Sequence, residues 1–276
     1  MNIKMNNYSG YAKWIFVLAI LALSLYANAQ KVQTDKVNIG FAYPISTNGT
    51  HAAADTNYFS LNLIAGVSAA ERGFSFAGIS SVVKNDVKGM MFAGFINVAR
   101  KVSGVQAAGF INVADSSDYP VGIINIIRNG EKGIGISIDE NETGLLSFRS
   151  GGKILYGIIA AGYNFRNKEE VYAFEAGLGA HFLNTSVFRM NAEITTQTLE
   201  SFKSGEYFKS SVRLMPSLRP VRGLELFGGP VFNYVNTNTT EGRAITDKYI
   251  RTWENRWGNN FEGIYIGFNA GINFLF

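Results

Sequence analysis

The chain has 276 residues, with 30 Gly, 5 Pro, 21 Phe, 13 Tyr and no cysteine. That length permits one large all-β domain or two small ones, and the missing cysteine excludes a disulfide framework, a thiolate metal site and a lipid-modified N-terminal cysteine. Lys4 and Lys13 lie in an acid-free N-terminal stretch; removing them from the 25 basic residues leaves 23 against 21 acidic ones, a near-neutral chain with no nucleic-acid footprint.

Residues 1–29 have the three parts of a secretory signal peptide. Lys4 and Lys13 form the basic region, Trp14 to Leu25 the apolar core, and Ala27-Asn28-Ala29 the cleavage site. The apolar core falls short of the roughly 20 residues a spanning helix needs. Cleavage is expected near Ala29.

Val37 to Tyr43 reads as a first strand, followed by a polar loop at 46–57 and strands at Tyr58 to Gly66 and Gly73 to Ser81. Between Lys88 and Ile127 one phrase recurs: GFINVA at 94–99, the same at 109–114, and GIINII at 122–127. Such steps are too short for a strand with a crossover helix but fit a strand with a tight reversal, so the copies are expected as antiparallel neighbours. At period two, Met90, Phe92, Gly94, Ile96 and Val98 share an apolar face, with Met91, Ala93, Phe95 and Asn97 opposite. The repeated amides Asn97, Asn112 and Asn125 mark a more polar, inward side. With Met91, Phe95 and Phe110 on that side, these strands would form a narrow, filled sector of a wall.

Two short, weakly patterned strands follow at Gly133 to Ile138 and Gly144 to Phe148. Six long ones come next, beginning at Ile154, Val171, Val187, Phe208, Leu224 and Gly263. Their charges keep to one side: Glu175, His181, Arg189, Glu193, Lys209, Arg213, Arg219 and Glu225 alternate with an apolar face that includes Phe174, Ile194 and Val212. A face lining water tolerates ionised groups, whereas a charge facing lipid at the bilayer midplane costs about 2–4 kcal/mol. With only His51 and His181 present, a multi-histidine metal site is excluded. Glu175, His181 and Ser186 could sketch an acid, base and nucleophile, but His181 falls on the charged face and reads as a lumen histidine; no catalysis, metal or cofactor is expected. These strands add up to a transmembrane antiparallel up-and-down β-barrel of about 14 strands over residues 30–276, with 12–16 compatible. An even count puts both termini on one side.

The last strand, Gly263 to Phe276, alternates without interruption and ends on Phe276. Here the chain resembles bacterial outer-membrane β-barrels, whose final strand usually closes on an aromatic residue read by the insertion machinery. The tandem GFINVA units resemble, more narrowly, functionally uncharacterised bacterial surface-repeat proteins built from glycine–hydrophobic–Asn–Val phrases. The resemblance implies the outer membrane of a Gram-negative bacterium, contact with membrane lipid and the insertion machinery, and a structural or pore-type role. The alternative is surface binding or adhesion through outer loops such as 236–260, where Trp253 and Trp257 stand near Arg251 and Glu254.

Overall fold

The computed structural model describes residues 37–254 and 260–276. The expected signal peptide at 1–29 and Trp257 lie outside the described residues. Two sheets take in the strands of the described residues. The first takes eight strands in the order β2-β1-β3-β4-β5-β6-β7-β8, comprising β1 (Val37–Ala42), β2 (Ile45–Ser46), β3 (Thr56–Ser68), β4 (Ala70–Ala77), β5 (Ser80–Ala93), β6 (Ile96–Ala108), β7 (Ile111–Val121) and β8 (Ile124–Ile127). The second contains β9 (Lys132–Asp139), β10 (Thr143–Gly151), β11 (Leu155–Asn164), β12 (Tyr172–Asn184), β13 (Phe188–Glu200), β14 (Tyr207–Val221), β15 (Leu224–Thr237), β16 (Arg251–Glu254) and β17 (Phe261–Leu275).

The repeats do not run antiparallel, and they are not part of a barrel wall. β5 to β8 pair in parallel, with Ile96 opposite Ile111 and Asn97 opposite Asn112, then Asn112 opposite Asn125. The repeat step is therefore a complete coil: an outgoing side, a bend near Arg100–Lys101, a returning side, and a tight turn at Gly109–Phe110. Stacked coils make a flattened β-solenoid, hereafter the arm. A β-crossover closes the coil in the span where a helix would not fit. The Asn97 amide reaches across the coil to the Ala107 carbonyl at 2.7 Å, which shows how thin it is. Gly89 and Gly104 occupy equivalent places in successive coils with φ of +125° and +130°, a conformation that side chains with a Cβ rarely adopt.

Identical inward residues then stack in register. Asn97 Nδ2 donates to Asn112 Oδ1 at 3.1 Å, and Asn112 Nδ2 to Asn125 Oδ1 at 2.8 Å, forming an asparagine ladder with every member fully buried. Phe95 and Phe110, expected inward, occupy the tight turns and point out, stacked at 5.2 Å between ring centroids. The turn interrupts the alternation that assigned them inward.

The second sheet closes on itself. Neighbours from β9 to β15 are antiparallel, β15 pairs with β17, and β17 pairs with β9, giving a barrel of eight strands and not fourteen. The other six expected strands belong to the arm. Connections at 152–154, 185–187 and 222–223 are short and lie at the end holding Phe276, whose N–H donates to the Lys132 carbonyl at 2.9 Å. Connections at 165–171, 201–206 and 238–260 are longer and lie at the opposite end.

The arm lies on the outside of the barrel near its short-turn end. Ser150 and Gly157 face outward on β10 and β11, yet both are buried under the last coil. Asn125 ties the ladder to the barrel's outer wall: its N–H donates to Ser150 Oγ at 2.9 Å and its side-chain amide to the Ser150 carbonyl at 3.2 Å. A Cβ on Gly157 would stand 2.2 Å from the Gly122 carbonyl oxygen and 2.1 Å from that of Ile123, so only glycine lets the arm sit this close.

Candidate functional site

Eight strands enclose a space that side chains can fill, and here the filling is ionic from the short-turn end up to the Lys209–Asp139 pair and apolar beyond it. At the short-turn end Arg189 forms a double hydrogen bond with Glu131 at 2.5 and 2.7 Å, and its Nη1 lies 3.3 Å from Glu225 Oε2. Arg149, 3.2 Å from Glu193, lies over the Phe227 ring, and the Tyr156 hydroxyl donates to Glu193 at 2.9 Å. Arg213 grips Glu175 with bonds of 2.8 and 2.5 Å and approaches Glu193 at 3.6 Å. Lys209 meets Asp139 at 2.5 Å. Every one of these cations has an acidic partner, as a buried charge requires.

His181 belongs to the same network. Arg189 can only donate, so His181 Nε2, 3.3 Å away, accepts, which leaves the ring proton on Nδ1 to donate to Asn191 Oδ1 at 2.6 Å. Asn191 Nδ2 in turn donates to Ser217 and to Glu225. Glu175 is occupied by Arg213, so the Glu175, His181 and Ser186 set is not assembled. Arg219 stands at the rim, half-buried, with its guanidinium on Asn184.

Toward the long-loop end the lumen holds Leu145, Ala173, Leu199, Tyr207, Val235 and Tyr265, and Ile245 from the 238–260 connection drops into the same cluster. That connection folds over the mouth. The Arg166 guanidinium donates to the Ile245 carbonyl at 2.8 Å, and Glu241, in the short helix α1 (Thr240–Arg243), accepts from the backbone N–H groups of Lys168, Glu169 and Glu170 at 3.0–3.3 Å. Burial tends to raise the Glu241 carboxyl, and those three N–H groups hold it below the usual carboxylate range. Trp253 donates to Glu262 at 2.5 Å and its ring lies 6.3 Å from Tyr234. It is tied to the barrel rim.

A space of about 20 Å³ remains among Glu131, Arg149, Tyr156, His181, Arg189 and Glu193, enough for a single water. Below it a vestibule of about 810 Å³ opens at the short-turn end, lined by Lys153, Arg189, Arg219 and Arg222 among others.

Sequence reasoning found seven of the charged lumen residues and missed Glu131, Asp139, Arg149 and Tyr156. The strands β9 and β10 that carry Asp139 and Arg149 alternate faintly because their inward positions include Gly133, Gly135 and Ser147. Those small residues make the room: a Cβ on Gly135 would come within 2.9 Å of the Arg149 guanidinium. Asn97, Asn112 and Asn125 are brought together, but inside the arm and away from the lumen.

No protein-family model and no curated protein matches the chain. Among solved structures, a crystal structure of Neisserial surface protein A is similar over 52% of this chain and 92% of its own, at 11% identity and a TM-score of 0.28. At that score the likeness bears on no functional step.

Proposed function

We propose that this chain is an outer-membrane β-barrel protein with a structural, non-conducting role. The observation that carries the reading is the polarity of the barrel wall. Arg189, Lys209, Arg213, Glu175 and Glu193 all point in and are buried, while Ile136, Leu146, Ile194, Val212, Ile266 and Phe274 point out and are exposed. In water this arrangement is inverted; in lipid it satisfies both faces. Aromatic side chains cluster at the long-loop end, where Tyr163, Phe165, Tyr172 and Phe202 form a chain of ring contacts between 5.3 and 6.1 Å, the girdle expected at a lipid–water boundary.

With an even strand number both barrel ends of the chain fall on the periplasmic side, and the loops at 165–171, 201–206 and 238–260 face outward. Delivery through a signal peptide cleaved near Ala29, recognition of the strand ending at Phe276 by the insertion machinery, and the absence of catalysis, metal and cofactor are parts of the same proposal. The filled lumen supports the structural role over a pore. Binding through 236–260 receives less support, because Ile245 is buried in the mouth and Trp253 is held by Glu262.

Reconstitution of the purified full chain into planar bilayers tests this. Insertion without resolved conductance steps is expected. A steady conductance of porin size, or recovery of the folded protein in the soluble periplasmic fraction, would overturn the proposal.

A further inference from the structure

The arm has the polarity of the barrel wall. Both of its flat sides are apolar outside: Phe76, Met90, Phe92 and Tyr119 on one, Ile96, Val98, Ile111 and Ile126 on the other. Part of its interior is polar, with the buried amides and hydroxyls of Ser75, Ser81, Asn97, Gln106, Asn112 and Asn125 beside an apolar cluster of Val83, Val87, Met91, Ala99 and Val102. It is the exposed apolar sides, with Phe76, Met90, Tyr119 and Ile126, that a solenoid in water would make polar.

The two edges of the arm differ in the same sense. The tight-turn edge carries Ile79, Phe95, Phe110 and Ile123, with Ile79 52% and Phe95 49% exposed. The opposite edge carries Lys84, Asp86, Arg100, Lys101, Asp115 and Arg128, where Arg100 pairs with Asp86 at 2.9 Å and Arg128 with Asp115 at 3.8 Å. Beneath the charged edge the filling is apolar, with Val83, Val87, Ala99 and Val102. Behind the apolar edge stand the amides Asn97, Gln106, Asn112 and Asn125, with Met91 in register beside Gln106. Each edge is backed by the kind of side chain that its own surroundings would reject.

The barrel fixes which edge points where. Gly157 and Ser150, farther up the wall, meet the backbone of Gly122 and Ile123 and the Asn125 side chain. Gly151 and Gly152, at the hairpin tip, meet Gly130 and Pro120. The apolar edge therefore points toward the middle of the barrel and the charged edge toward its short-turn end. Four residues separate Ser150 from Leu146, which pairs with Ile136 at mid-wall. At about 3.4 Å per residue and a tilt near 40°, the arm's attachment lies roughly 10 Å below the barrel's middle, within one leaflet.

We propose that the arm is a lipid-immersed wedge: it projects from the barrel into the periplasmic leaflet, with acyl chains against its two sides and tight-turn edge and its charged edge at the headgroup boundary. This rests on the membrane reading of the barrel and adds a second lipid contact that a barrel alone would lack. Phe148 and Ile159 pair on the wall two positions above the attachment at Ser150 and Gly157, so apolar wall begins where the arm's apolar edge ends. Sorting the ions to one edge suits a boundary between lipid and water, and a protein partner would not require it.

The chain has no cysteine, which permits site-specific labels. Phe95→Cys, Phe110→Cys, Arg100→Cys and Ile136→Cys, each carrying bimane, would be reconstituted as full chains into phosphatidylcholine vesicles. Quenching by acyl-brominated lipid is then compared with quenching by iodide in the buffer. The wedge predicts that labels at 95 and 110 are quenched by brominated lipid as strongly as the barrel label at 136, while the label at 100 is quenched by iodide. If 136 responds to lipid but 95 and 110 respond to iodide, the arm stands in water and the wedge is wrong. Labels at 95 and 110 shielded from both quenchers would mean that protein covers the edge, a second copy or another chain, which also overturns it. A label at 136 that lipid does not quench would remove the membrane reading of the barrel and the wedge with it.

Discussion

Removing the middle amide of the ladder should loosen the arm while leaving the barrel intact. In Asn112→Ala three hydrogen bonds disappear: those from Asn97 at 3.1 Å, to the Val121 carbonyl at 2.8 Å and to Asn125 Oδ1 at 2.8 Å. Asn97 Nδ2 keeps the Ala107 carbonyl at 2.7 Å, so the loss falls on two buried acceptors, Val121 O and Asn125 Oδ1. At about 1–3 kcal/mol for each of the two buried groups left unpaired, the arm should lose roughly 2–6 kcal/mol. Asn112→Asp should lose more, since a carboxylate would face those acceptors with no donor to offer. Hydrogen exchange of the full chain in detergent micelles reads this directly. Amides of β6 and β7 should exchange about 30- to 20,000-fold faster, at 1.4 kcal/mol per tenfold, with β12 to β14 unchanged. Unaltered protection in β6 and β7 would refute the ladder as a support. Equal loss in β12 to β14 would refute the division into two cooperative units.

Gly157→Leu should detach the arm without opening the barrel, because its side chain would displace the Gly122–Ile123 backbone; proteolysis between Ile127 and Lys132 should speed up while heat-dependent gel migration stays native. Arg213→Ala leaves Glu175 without its partner inside the barrel, a loss of about 3–5 kcal/mol. The double replacement Arg213→Met with Glu175→Leu should recover much of it, as read by unfolding midpoints in urea. The Glu241 clamp has a pH signature: its carboxyl is held below the ordinary carboxylate value, so the clamp's contribution is complete above that value and fades as pH falls through the lowered one. Exchange of the 165–171 amides should therefore quicken on acidification beyond the intrinsic rate change, and Glu241→Gln should quicken it already at neutral pH.

Six of the eight barrel strands were legible as clear alternation, because each has one face in the lumen and one outside and the side-chain period of two records that division; β9 and β10, with glycine and serine at inward positions, showed it only faintly. The long β12, β13, β14 and β17 also revealed which residues face in. The arm was legible as a repeat but misread in pairing. A repeated 15-residue unit with alternating faces is compatible with a hairpin strand or with a whole coil, and the difference lies in the bend at Arg100–Lys101 and the turns at Gly94–Phe95 and Gly109–Phe110. A run of equivalent residues can stack in register only when the strands are parallel, so the recurrence of Asn97, Asn112 and Asn125 carried the signal for a ladder. The ion pairs were not legible. Which carboxylate meets Arg149 or Lys209 depends on the shear of the closed barrel, which brings Arg149 to Glu193 and Lys209 to Asp139 across the lumen.

The claim that the barrel's outer wall faces hydrocarbon is tested most directly at the paired positions Ile136 and Ile272. The measurement is the folding free energy of the full chain into phosphatidylcholine vesicles for Ile136→Arg and Ile272→Arg, beside Ile250→Arg, which is exposed at the long-loop mouth. A loss of about 2–4 kcal/mol at each of the first two positions and near zero at the third is the predicted result. Equal tolerance at all three would contradict it.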